Sequence, residues 1–153
     1  MRNEAGWGMT ELLVTVAMIG ILSVLGTPFV VTYVRSAALR GGAQELATLL
    51  NGARALAIAR NTNVCMRLTG TSAEYRTATS ATCGGGALYI GPGTAADGSM
   101  SLGNHMEISG TTANVTFSNL GAALTAGTYT VRHPQTGNTL TVVVSAAGRV
   151  QIQ

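Results

Sequence analysis

Apolar side chains have no helical or strand period at the start of this chain; they run together. From Leu12 to Val34 no residue is charged, and the only interruptions are Thr, Ser, Gly, Pro and Tyr. As an α-helix this stretch is about 35 Å long at ~1.5 Å per residue, enough to cross a hydrocarbon core of ~30 Å. The pattern changes after Val34. Leu39, Ala43, Leu46, Leu50, Ala53 and Ala57 step by four and three, which predicts a helix with a single apolar stripe through "LRGGAQELATLLNGARALAIAR". The reading is one helix from about residue 9 to about residue 60, its first half suited to lipid and its second half to packing on a domain. Pro28 removes a backbone donor and crowds the preceding turn, so a kink is expected there. The pair Gly41-Gly42 is a weak point, at roughly 1 kcal/mol per Gly against Ala. It admits two explanations, bending during assembly or close packing against a neighbour.

Beyond Asn61 the period becomes two. "NVCMRLTG" places Val64, Met66 and Leu68 on one face and Cys65 and Arg67 on the other. "AEYRTAT" is its expected partner strand. A Gly-rich loop follows, with a short strand at Ala87 to Ile90. Further strands are expected at His105–Ser109, Asn114–Ser118, Gly127–His133, Thr139–Ser145 and Arg149–Ile152. "HPQTGN" should close a hairpin and "SAAGRV" a second turn. The fold class is therefore α+β, a long N-terminal helix followed by an antiparallel β domain. The expected segments are a leader at 1–6, a membrane and assembly helix at 7–34, its amphipathic continuation at 35–60 and the β domain at 61–153.

With 153 residues and the apolar run set aside, there is room for one modest soluble domain. The net charge of +3 is carried on nine Arg spread along the chain, so it does not form a basic tract. Cys65 and Cys83 have no partners with metal-ligand spacing, and His105 and His133 are far from both. Two unrelated buried thiols are one reading. In an exported domain a disulfide is favoured, and it would stabilise the fold by roughly 3 kcal/mol. Gly84-Gly85-Gly86 lacks the Lys and the following helix of a phosphate loop. Asn114-Val-Thr116 fits a glycosylation sequon, to which little weight attaches. No nucleophile elbow, carboxylate pair or Cys-His neighbourhood is visible, so neither an enzyme nor a cofactor is expected.

One residue does not suit the apolar run it heads: Glu11. A carboxylate at membrane depth is costly unless paired, and is functional by default. The stretch "G-WGMTE-LLVTVAMIGILSVLGTP" resembles the N-terminus of type IV pilin-like proteins. The resemblance implies cleavage between Gly6 and Trp7 by a prepilin peptidase and methylation of the new amino terminus. It makes Glu11 the fifth residue of the mature chain and puts the family's helix kink at Pro28. Trp7 stands where the family usually has Phe. Glu11 would then meet the amino terminus of a neighbouring subunit as the helices stack. The same resemblance implies a single-pass protein of the bacterial inner membrane with its head in the periplasm.

The C-terminal "VTFSNLGAALTAGTYTVRHPQTGNTLTVVVSAAGRVQIQ" is similar to the end of GspH/FimT-type proteins. That likeness implies a β-sandwich-like head and a minor pseudopilin or pilin near the tip of a type II secretion pseudopilus or type IV pilus. Its partners would be other pseudopilins or pilins. The alternative is a DNA-binding minor pilin acting in DNA uptake, because some FimT-like pilins bind DNA through a "G-R-x-R" motif near the C-terminus. Here the sequence reads Gly148-Arg149-Val150-Gln151, so the second Arg is missing. Arg149, with Arg132 and His133, is the candidate DNA contact, and a solvated hairpin edge is the simpler explanation.

Overall fold

The computed structural model describes residues 8–69, 71–103, 106–110 and 114–153. Helix α1 (Met9–Ala59) is followed by eight strands: β1 (Asn63–Thr69), β2 (Ser72–Ala78), β3 (Ser99–Ser101), β4 (Glu107–Gly110), β5 (Asn114–Phe117), β6 (Gly127–Arg132), β7 (Thr139–Val144) and β8 (Val150–Ile152). The chain divides into two compact units, residues 1–36 and 37–153.

Within the first unit the backbone is helical through Pro28. Three hydroxyls of this stretch bond back to helix carbonyls. Thr15 Oγ1 donates to the Leu12 carbonyl at 2.9 Å, Ser23 Oγ to that of Ile19 at 2.7 Å and Ser36 Oγ to that of Thr32 at 2.9 Å. Back-bonding of this kind hides polar groups in an otherwise apolar helix.

In the second unit all six stripe residues, from Leu39 to Ala57, are buried. They face two four-stranded antiparallel sheets, ordered β3-β2-β1-β5 and β4-β6-β7-β8. Val64, Met66, Tyr75, Val115 and Phe117 from the first sheet and Tyr129, Val131, Val142 and Val144 from the second complete one core with the helix. The fold is α+β, a long N-terminal helix packed on antiparallel sheets. Gly42 is buried because its face is taken: a Cβ there would press on Met106, with Val131 behind it. Gly42 thus packs closely on its own head, while Gly41 beside it has open space.

Helix α1 ends by a reciprocal pair of backbone bonds. The amide of Asn61 donates to the Ile58 carbonyl and that of Thr62 to the Ala57 carbonyl, both at 3.2 Å. Asn61 takes the left-handed φ of 49° that this cap requires, and Asn tolerates it better than other non-Gly residues. Its Oδ1 also accepts from Asn119 Nδ2 at 2.9 Å, which ties the helix end to the turn after β5.

The strand expectations differ from the structure at two places. Ala87 to Ile90 is not a strand; Leu88 makes an isolated bridge to Arg76. The segment nonetheless runs along the β2 edge, where the Thr77 amide donates to the Ala87 carbonyl and the Tyr89 amide to the Tyr75 carbonyl. Pairing stops where the flanking glycines and Pro92 break it. The remainder of that edge is taken by β3, inside the stretch expected to be loop, with Met100 opposite Ala73. Residue 105 of the strand expected at His105–Ser109 lies outside the described residues, and the strand itself begins at Glu107.

Tyr75 joins helix and sheet. Its hydroxyl donates to the Leu49 carbonyl at 2.6 Å, and burial, reinforced by Tyr89, pushes its pKa up to about 12. The folded state thus holds this proton more tightly than the unfolded chain does. Head stability should be level up to about pH 10 and fall between pH 10 and pH 12, as only the unfolded chain releases the proton. Thermal melts across that range should show the fall, and Tyr75→Phe should flatten it at a cost of about 1 kcal/mol at neutral pH.

Candidate assembly site

The site begins with the exposure of the first unit. Met9, Leu12, Leu13, Val16, Ile19, Leu22, Val24, Phe29 and Tyr33 are all exposed, and they point in every direction around the helix. A helix apolar all round is stable only when lipid or other helices cover it. Its most apolar 18-residue window has a mean hydropathy of 2.2, with none of it buried. Glu11 sits in the first turn, where the Gly8 carbonyl accepts from the amides of Glu11 at 3.0 Å and Leu12 at 3.3 Å. The N-terminal end of the helix dipole favours a carboxylate at that position. Gly6 and Trp7 lie outside the described residues.

The head is that of a known family. The sequence profile of the family described as Type II transport protein GspH matches residues 42–148. The chain belongs to the GspH family. Its head has the fold of two solved relatives. The crystal structure of the Pseudomonas aeruginosa type IV minor pilin FimU is 19% identical, covers 75% of this chain and 92% of that one, and superposes with a TM-score of 0.54. The solution structure of E. coli GspH is 16% identical, with coverage of 76% and 88% and a TM-score of 0.57. No curated protein sequence matches the chain significantly.

Within this GspH-family head, Cys65 and Cys83 form a disulfide with their Cα atoms 5.4 Å apart. Cys65 faces away from the helix, yet it is fully buried, as is Thr116, its cross-strand neighbour on β5. Thr116 Oγ1 donates to the Ala81 carbonyl at 2.9 Å. The loop carrying Cys83 is thus held over the outer face of the first sheet, and covers what strand alternation alone assigns to solvent.

The two candidate DNA contacts are not brought together. Arg132 ends β6 opposite Thr139, while Arg149 lies in the turn after Val144, so β7 separates them by roughly 17 Å at ~3.3 Å per residue. Arg132 is also 3.6 Å from Glu107 Oε2 on the adjacent strand, a carboxylate that offsets its charge. His133 is buried, and its Nδ1 accepts from the amides of Gln135 at 3.2 Å and Thr136 at 3.4 Å, organising the hairpin turn.

The turn before Arg149 has a neighbour that the sequence does not show. Gly148 (φ 75°) and Gly121 (φ 83°) bring the turns 145–148 and 118–121 together backbone to backbone, and Arg54 of α1 lies against both. A side chain at Gly148 would collide with the Gly121 carbonyl. Nothing in the sequence pairs those two glycines. The one available signal was an apolar Leu120 inside the turn "SNLG".

Proposed function

We propose that this chain is a minor pseudopilin or pilin, a structural subunit that enters a filament through its N-terminal helix. One observation carries the reading: a membrane-length helix, exposed and apolar on every face and headed by one carboxylate, in a chain whose head belongs to the GspH family. The filament is the pseudopilus of a type II secretion system, the setting that the family's description names, or a type IV pilus. The subunit occupies the tip region and supports secretion or pilus biogenesis.

In this reading a prepilin peptidase cuts between Gly6 and Trp7 while the helix is held in the inner membrane with the head in the periplasm. Pro28 is the kink position within the membrane helix. Cleavage frees an α-amino group four residues from Glu11, and assembly brings Glu11 of one subunit to the amine of the next. Neighbouring helices replace lipid around the apolar surface. Intact-mass and N-terminal peptide analysis of the protein from membranes should show a mature chain that begins at a methylated Trp7. A chain that begins elsewhere, or that works uncut, would refute the proposal.

A further inference from the structure

The two sheets differ in how their end strands are finished. In the first sheet, loops of the chain bond to both ends. The Ser99 carbonyl of β3 accepts from the Ala95 amide at 2.8 Å. On β5 the Thr116 carbonyl accepts from the Leu124 amide at 2.8 Å, and the Thr116 amide donates to Thr125 Oγ1 at 2.8 Å. The second sheet ends in β8. Thr141 and Gln153 exchange backbone bonds of 3.0 and 2.7 Å, and the Ser145 amide donates to the Arg149 carbonyl at 3.0 Å. Antiparallel pairs alternate between bonded and unbonded. Arg149, Gln151 and Gln153 therefore bond toward β7, while Val150 and Ile152 turn their amides and carbonyls outward. Among the described residues, none of those outward groups has a hydrogen-bond partner.

The side chains of β8 alternate with its backbone. Val150 stands opposite Val144 and Ile152 opposite Val142, on the face that meets the core, and Ile152 is left 42% exposed there. Arg149, Gln151 and Gln153 lie on the other face and are exposed. Open edges are usually blunted by Lys, Pro, a bulge or an inward charge. From Val150 to Gln153 the chain has no charged side chain and no Pro, and its register with β7 is unbroken. Such an edge is a template for another strand, and this one is complementary to itself. Val150-Gln151-Ile152 reads apolar, polar, apolar about Gln151, so a strand turned end for end presents the same pattern.

We infer that β8 of a second copy of this chain adds to this edge, antiparallel and centred on Gln151. In that register Val150 of each copy lies opposite Ile152 of the other, and each of these pairs exchanges both of its backbone bonds. A shift to either side leaves part of the edge unpaired. The Val150 and Ile152 side chains meet on the core face, which covers Ile152. On the other face Gln151 meets its own counterpart, close enough for the side-chain amides to bond across the strands. Arg149 meets Gln153, so the two Arg stand at opposite ends and no like charges face each other. The same edge serves both copies, so the contact is isologous and closes as a pair. The pairing goes beyond the assembly reading, since Glu11 takes no part in it. It rests on that reading only for the membrane anchor, which raises the effective concentration at which a short edge must find its partner.

The test uses the full-length protein in its own membrane, where Cys65 and Cys83 are occupied with each other. Mild oxidation of Gln151→Cys is compared with that of Gln135→Cys, an exposed position in the hairpin turn. The Gln151→Cys homodimer should exceed the Gln135→Cys homodimer at least tenfold. Differently tagged copies check the register: Arg149→Cys should cross-link to Gln153→Cys, and either alone should do so at least tenfold less. Ile152→Pro removes an outward amide and no bond to β7. Added to Gln151→Cys, it should lower the homodimer at least tenfold while the Cys65–Cys83 bridge stays closed. Equal homodimers at 151 and 135, a homodimer that survives Ile152→Pro, cross-linking in a different register, or capture of a different protein by Gln151→Cys overturns the inference. Glu11→Ala added to Gln151→Cys should leave the homodimer in place. Its loss there would make the pairing a product of filament packing and overturn the inference. Normal filament incorporation without the homodimer refutes the pairing and leaves the assembly reading standing.

Discussion

Replacing Glu11 with Ala should leave leader removal and membrane insertion intact and lower incorporation into the filament by about a hundredfold or more. The order comes from an opposite-charge pair ~4 Å apart at an effective dielectric of ~20. The substitution removes the one formal charge on the apolar helix, so insertion becomes easier. In the assembled bundle it leaves the neighbour's amino terminus without its counter-charge. A desolvated, unpaired ammonium costs more than the lost attraction alone. Glu11→Asp keeps the charge on a shorter stem and should recover part of the incorporation. Comparing sheared filament fractions with whole membranes checks this, and equal incorporation of Glu11→Ala would remove the electrostatic account.

Opening the disulfide should be the most damaging mild change to the head. Cys83→Ser, which leaves the buried Cys65 thiol in place, is expected to cost about 3 kcal/mol, and to lower Tm by on the order of 10 °C for a domain of this size. The bridge spans 18 positions, so its loss restores substantial freedom to the unfolded loop. In the folded state it also loosens the cover over Cys65 and Thr116, whose hydroxyl would lose the Ala81 carbonyl. Thermal unfolding with and without reductant should reproduce the mutant's shift in the unaltered protein. A reduced head that melts at the oxidised temperature would mean that the loop is held by its hydrogen bonds alone.

Most of the strand order along the chain was legible because each strand carries its own period. Val64 and Met66 alternate with outward residues, and Thr139 to Val144 follows a Pro-Gly turn that could only fold back. The failures share one cause. Ala87 to Ile90 has strand composition but sits between glycines and Pro92, and Ser99–Ser101 has little strand composition but lies beside a free β2 edge. An edge strand is specified by the edge it meets, and that edge is built from residues 12 (Arg76 for Leu88) to 29 (Ser72 for Ser101) positions earlier.

The candidate contacts divide in the same way. Arg132 precedes one turn and Arg149, 17 positions on, follows the next, so nothing local shows that β7 holds them at opposite ends. Arg54 meets Arg149's turn only because Gly121 and Gly148 allow two backbones to touch.

By itself the sequence determined the membrane-length helix, the lone Glu11 at its head, the buried stripe from Leu39 to Ala57 and the hairpin pairings. Those properties depend on spacing within one segment and on the solvent that segment prefers. The tertiary structure decided which surfaces stay bare and which are covered: Cys65 and Thr116 under the loop, the outer edge of β8, and Leu120 left exposed in its turn. Coverage depends on which distant segments arrive at the same place, and only the closed fold brings them together.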